Sequence, residues 1–173
     1  MLNRIKRALR HRWLSTFAVQ PAIPAALSER LHQLVTASER HHTGEIRIFI
    51  ETGLPLSYLL REQSTPELAR QRALAVFGKL RVWDTEKNNG VLIYLLLAER
   101  HVELIADRGF NTLVNPQEWS SLISKMSSAF QRNDYETGLT QALSEVSALL
   151  SLHFPLEAGE RNTNELPDAP VLG

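Results

Sequence analysis

The chain has no cysteine among its 173 residues. That absence excludes disulfides, zinc-thiolate sites, iron-sulfur clusters and every mechanism with a cysteine nucleophile, the cysteine-based phosphatases included. Long hydrophobic runs are missing too, and the longest, Val91 to Ala98, is far too short to span a bilayer. Residues 1–20 lack the unbroken apolar stretch and small-residue cleavage site of a secretory leader. The expectation is a soluble or peripheral protein of the cytoplasm. There is no G-x-S-x-G elbow, no glycine-rich nucleotide loop and no H-E-x-x-H zinc motif. The serines of SSLISKMSS fall on a helix, so no nucleophile is nominated. Acidic residues are absent before Glu29, whereas Arg4, Lys6, Arg7, Arg10 and Arg12 precede it. The zero net charge is therefore a sum of unlike parts, five positive charges at the start and 14 basic against 19 acidic residues afterwards.

What is present is enough apolar sequence, 43%, for one core. Three parts are expected: a basic arm over 1–20, an α/β domain over 21–154, and an extended tail over 155–173. In the arm, Leu2, Ile5, Leu9, Trp13 and Phe17 recur at helical spacing. With Arg4, Lys6, Arg7 and Arg10, this is the pattern of an amphipathic helix on an anionic membrane surface, Trp13 and Phe17 entering the interface. A terminal segment that packs on the domain or stays disordered is the alternative. Nucleic acid is not expected as a partner, because no recognition module accompanies the arm.

The domain reads as helix, strand, helix, strand, strand, helix, helix. Leu27, Leu31, Leu34 and Val35 form a helical stripe that runs to His42, before Gly44. Residues 45–51, EIRIFIE, alternate as a strand does. Ser64 and Glu67 are spaced as a capping box around Pro66, which starts a helix reaching about Leu80. Val91 to Ala98 is apolar on both sides, as in the middle of a covered sheet, and VELIAD, 102–107, returns beside it. Strand, crossover helix and strand make the first two strands parallel. Asn115, Pro116 and Glu118 open the next helix, on which Trp119, Leu122, Ile123, Met126 and Phe130 share a face, and Asp134 caps the last. The fold class is α/β: a mixed β-sheet with a parallel βαβ unit and an antiparallel hairpin, helices on both faces. The tail has three prolines and two glycines in 19 residues, and disorder is its expected state, with Leu166, Val171 and Leu172 able to fold back.

This topology gathers Asp84, Glu86, Asn88, Asn89, Asp107 and Asn111 at one rim. Carboxylates and amide oxygens are hard ligands suited to Ca2+ or Mg2+, so Asp84, Glu86, Asn88, Asp107 and Asn111 are the candidate metal ligands. Lys87, Arg100 and Arg108 lie near enough to hold a phosphate. The plainer reading is turn chemistry, with Asn89 and Gly90 at positive φ.

Four stretches then carry a family resemblance over residues 25 to 153: TGEIRIFIE, VFGKLRVWD, KNNGVLIYLLLAERHVELIADRGF and FQRNDYETGLTQAL. Their order resembles the TPM domain family. The resemblance implies a mixed sheet between helices, an edge where some members bind calcium, and an acid phosphatase activity like that of a plant relative. The family's K-D-N-G is K-N-N-G here, and Asn111 stands at a frequently acidic position. The expected function is an interaction domain at the cytoplasmic membrane surface, in envelope maintenance or assembly with a membrane protein of the LemA type. A divalent-metal-dependent phosphatase is the alternative.

Overall fold

The computed structural model describes residues 22–173. Helix α1 (Ala25–Ser38) precedes strand β1 (Ile46–Glu51), and a one-turn helix α2 (Leu56–Leu59) leads into α3 (Thr65–Lys79). Strands β2 (Val91–Leu96) and β3 (His101–Ala106) follow, then helices α4 (Pro116–Gln131) and α5 (Tyr135–His153) and a short strand β4 (Val171–Leu172). The sheet order is β3-β2-β1-β4. Strands β1 and β2 are parallel, with Ile46 opposite Val91 and Glu51 opposite Leu96, and β3 returns antiparallel to β2. The mixed α/β sheet expected from the hydrophobic pattern is the one observed.

Every residue of β1 and β2 is buried, because both faces of the sheet are covered. Ile46, Ile48, Ile50, Val91, Ile93 and Leu95 pack with α1, α4 and α5. Phe49, Leu92, Tyr94, Leu96 and Ile105 pack with α3 on the other face. Each fully buried isoleucine or leucine contributes about 1.5–3 kcal/mol, so these alternating sets hold the register. Local signals agree. Both Ser64 with Glu67 and Asn115 with Glu118 close reciprocal capping boxes, and the Asp134 carboxylate accepts the Thr137 N–H at 3.2 Å.

Several boundaries differ from the periodicity. Helix α1 ends at Ser38 rather than His42, since the Glu39 carboxyl group turns to accept the Ile46 N–H at 2.9 Å. Beyond it His42 is fully buried, its Nδ1 3.0 Å from the Gly44 carbonyl and its Nε2 2.8 Å from Ser38 Oγ. A carbonyl only accepts, so Nδ1 carries the proton and Nε2 accepts from Ser38. Strand β2 stops at Leu96, because Leu97–Glu99 tighten into a 3-10 turn whose Ala98 N–H bonds the Thr52 carbonyl at 3.0 Å.

The larger correction is the tail. Disorder was its expected state, yet Val171 and Leu172 pair in parallel with β1. Polar anchors explain this. Both Asn162 Nδ2 and the Leu166 N–H donate to Glu45, Arg47 donates to the Ala169 carbonyl, and Thr36 and Asn164 donate to Asp168. Leu166 is buried against the α3 side of the sheet. Composition hid this strand because most of its partners lie far away in sequence, on α1, on β1 and at Glu45 just before β1.

Candidate functional site

The loops before β2 and after β3 are joined through their main chains. The Gly109 N–H donates to the Asn88 carbonyl at 2.9 Å and the Asp107 N–H to the Gly90 carbonyl at 2.9 Å. The positive φ falls on Asn88, at 53°, and not on Asn89 or Gly90 as the turn reading expected. Asparagine tolerates that left-handed conformation better than most residues. Gly90 is needed for another reason: a Cβ there would lie 2.0 Å from the Val82 carbonyl oxygen.

The topology brings the loops together, but their side chains diverge. Asp84 is exposed and turns to Arg81 at 3.8 Å. The Glu86 N–H donates to the tail carboxylate of Glu165 at 3.0 Å, and Lys87 Nζ donates to Glu160 at 2.8 Å. Arg100 reaches the Gln131 carbonyl at 3.4 Å, away from any shared phosphate position. Asn89 is fully buried and its Nδ2 donates to Thr43 Oγ1 at 3.1 Å. Among the described residues, no three histidine, aspartate or glutamate side chains are grouped to hold a metal ion. The donor set around Asp107 is a single buried carboxylate with the amide of Asn111 beside the same groove, which does not fit a calcium or magnesium cage of several oxygens.

Asp107 nevertheless stands apart. It is 7% exposed, and its Oδ1 accepts the Arg108 N–H at 2.7 Å while its Oδ2 is buried without a hydrogen-bond partner among the described residues. A buried carboxylate oxygen in that state costs about 1–3 kcal/mol or more, so it marks a place where a donor would be favoured. Asp107 and Asn111 line a groove of about 440 Å³. Its other walls include Leu104 and Ala106 of β3, Arg70 of α3, and Trp119 of α4. Arg70 Nη1 donates to the Leu104 carbonyl at 2.8 Å and meets Glu103 at 3.2 Å. Glu103 also holds His101 Nε2 at 2.7 Å. The Trp119 ring stands edge-on to Phe110, their centroids 5.6 Å apart.

Two of these residues escaped the sequence reading. Trp119 was recognised as part of an apolar helix face, and Arg70 carried no signal, since a basic residue on an amphipathic helix normally faces solvent. Only the position of β3 at the sheet edge gives Arg70 a carbonyl to meet.

The buried ion pair on the α3 side is a separate feature. Arg72 donates to both oxygens of Glu51, at 2.7 to 3.0 Å, and Tyr94 Oη donates to the same carboxylate at 2.7 Å. Burial first, then the neighbouring Glu51 charge, push the Tyr94 phenol well above its ordinary range. A phenol so placed stays a proton donor and acts as structural support.

The membrane-contact residues Arg4, Lys6, Arg7, Arg10, Trp13 and Phe17 lie outside the described residues. No helix among the described residues is long and apolar enough to cross a membrane.

Comparison with known proteins agrees with this architecture. A solved NMR structure, the BA42 protein of the psychrophilic bacterium Bizionia argentinensis, superposes with a TM-score of 0.71 at 23% identity, covering 87% of this chain and 95% of that one. At that identity the likeness carries the fold alone. No match is found among curated proteins. The family model described as the TPM domain matches residues 22–149, most of the chain, and the protein belongs to the TPM domain family.

Proposed function

We propose that this TPM domain is a binding module whose ligand presents a positive charge to the groove beside β3. The observation that carries the reading is Asp107: the residue lines a groove of about 440 Å³, and one of its carboxylate oxygens is buried without a partner among the described residues. Glu103 lies in the same wall but is engaged by Arg70 and His101, and Trp119 adds an aromatic surface. A carboxylate beside an aromatic ring is the combination that holds an ammonium or guanidinium group. A phosphatase at the rim needs two carboxylates to act on one metal or one water. Asp84 is instead turned to Arg81, so no observation favours that alternative. The basic pattern of residues 1–20 supports placing the module at an anionic membrane surface, where a membrane protein of the LemA type would be a suitable partner.

Titration of the 15N-labelled chain with millimolar acetyl-arginine amide tests the groove. Amide shifts are expected at Arg70, residues 103–111 and Trp119, and they should be lost in Asp107→Asn. Shifts confined to other surfaces, or unchanged in Asp107→Asn, would overturn the reading.

A further inference from the structure

Among the described residues, strand β3 is an open edge of the sheet, since β2 lies on one side and the order ends there. In an antiparallel ladder, alternate residues bond the neighbouring strand while those between turn their N–H and C=O groups away. Asp107 donates to Gly90 at 2.9 Å, so Ile105 and Glu103 share its inward parity, and the main chains of Leu104 and Ala106 point off the edge. The Arg70 contact confirms the parity, because its guanidinium reaches the Leu104 carbonyl from outside the ladder at 2.8 Å. At the other end of the sheet the tail covers part of β1. Val171 and Leu172 pair with β1 there, and the Gly173 N–H donates to the Ile50 carbonyl at 2.9 Å.

The groove runs over this open edge, between Arg70 on one side and Trp119 on the other. Its floor thus offers peptide-bonding groups, not merely side chains. Glu103 in its wall is engaged by Arg70 and His101, which leaves Asp107 as the carboxylate that selects for a cation. We infer that the groove takes an extended peptide segment as an added strand beside β3, with a lysine or arginine side chain of that segment lying between Asp107 and Trp119. The inference rests on the reading of the groove as a cation-binding site and adds the occupant's class. Main-chain bonds to Leu104 and Ala106 supply affinity, and the side-chain seat supplies specificity. Arg70 then guards the empty edge. Its guanidinium satisfies the Leu104 carbonyl until an incoming N–H replaces it, which also protects the edge from unspecific pairing.

The test uses the 15N-labelled full chain and a capped seven-residue peptide of alternating valine and lysine. Binding should move the Leu104 and Ala106 amides most and slow their hydrogen exchange at least tenfold. N-methylating the peptide along one edge should weaken binding at least tenfold, and along the opposite edge should leave it nearly unchanged. Replacing its lysines with glutamine should weaken binding to the natural chain but matter little to Asp107→Asn. Ala106→Pro removes an outward N–H at a place where an edge strand tolerates proline, and should weaken binding to the same degree as the disruptive methylation. The two peptide edges give the result independently if that variant fails to fold. Equal binding of both N-methylated peptides would overturn strand addition while leaving the cation site intact. No response to either the peptide or acetyl-arginine amide would overturn both readings.

Discussion

Glu39 is the most informative residue to perturb. It follows the last residue of α1, is 6% exposed, and accepts the Ile46 N–H at 2.9 Å. Burial first, then the charge of Glu45, raises its pKa from 4.5 to about 8. Asp168 acts in the same sense, while the Ile46 N–H and Arg47 oppose it. Its carboxyl group therefore stays protonated in the folded protein at pH values where the unfolded chain has already released the proton. The stability it contributes is complete below about 4.5 and is lost as pH rises to about 8. Between those limits the folded protein binds more protons than the unfolded one, so stability falls by about 1.4 kcal/mol per pH unit, roughly 5 kcal/mol in all.

Glu39→Gln keeps a carbonyl oxygen for the Ile46 N–H and cannot ionise. Urea unfolding of both chains at pH 5, 7 and 9 isolates the effect, because Glu45, whose carboxyl is also raised by burial, titrates in both. The variant should match the natural chain near pH 5 and exceed it by several kcal/mol at pH 9. The gain should reach the tail, since Glu39, Glu45, Arg47 and Asp168 form one electrostatic group at its anchor. Two unfolding series that run parallel from pH 5 to pH 9 would show that Glu39 ionises normally and refute the reasoning.

Arg72→Leu should destabilise the fold by about 3–5 kcal/mol in urea unfolding, because it strands the buried Glu51 charge with only Tyr94 as donor. Adding Glu51→Gln should recover most of that loss, and a double variant no more stable than Arg72→Leu would refute the ion-pair account. For the arm, replacing Arg4, Lys6, Arg7 and Arg10 with glutamine should weaken binding to phosphatidylserine-containing vesicles by roughly 4 kcal/mol at low salt. Equal sedimentation of both chains with such vesicles would remove the membrane surface from the proposed function.

Legibility in the sequence followed the range of the interaction. Capping boxes span four residues and strand alternation six or seven, so Ser64, Asn115 and the EIRIFIE strand could be read directly. Gly138 belongs to a motif that reads as a family signature, but its physical reason appears only in three dimensions: a Cβ there would lie 2.5 Å from the Phe130 ring. Glu39 has no local pattern around it that marks it as buried. Its electrostatic neighbours include Glu45 and Arg47 at the start of β1 and Asp168 of the returning tail, and the return of that tail is not announced by the residues near Glu39. Asp107 enters the sequence reading as a rim acid of a metal cage, and topology predicts which loops meet but not which way their side chains turn.

That divergence has a cause in the chain itself. The tail returns two carboxylates, Glu160 and Glu165, to the loop before β2, where they engage the Lys87 ammonium and the Glu86 main-chain N–H. The loop's positive groups are thereby occupied, and its exposed Asp84 pairs locally with Arg81. The same tail supplies β4 and covers part of the β1 edge. What remains is the opposite edge, where, among the described residues, one arginine side chain covers one carbonyl and a buried carboxylate oxygen lacks a donor. Edges left this lightly protected are a liability unless they are used, and the acid and aromatic walls beside β3 define what would use it.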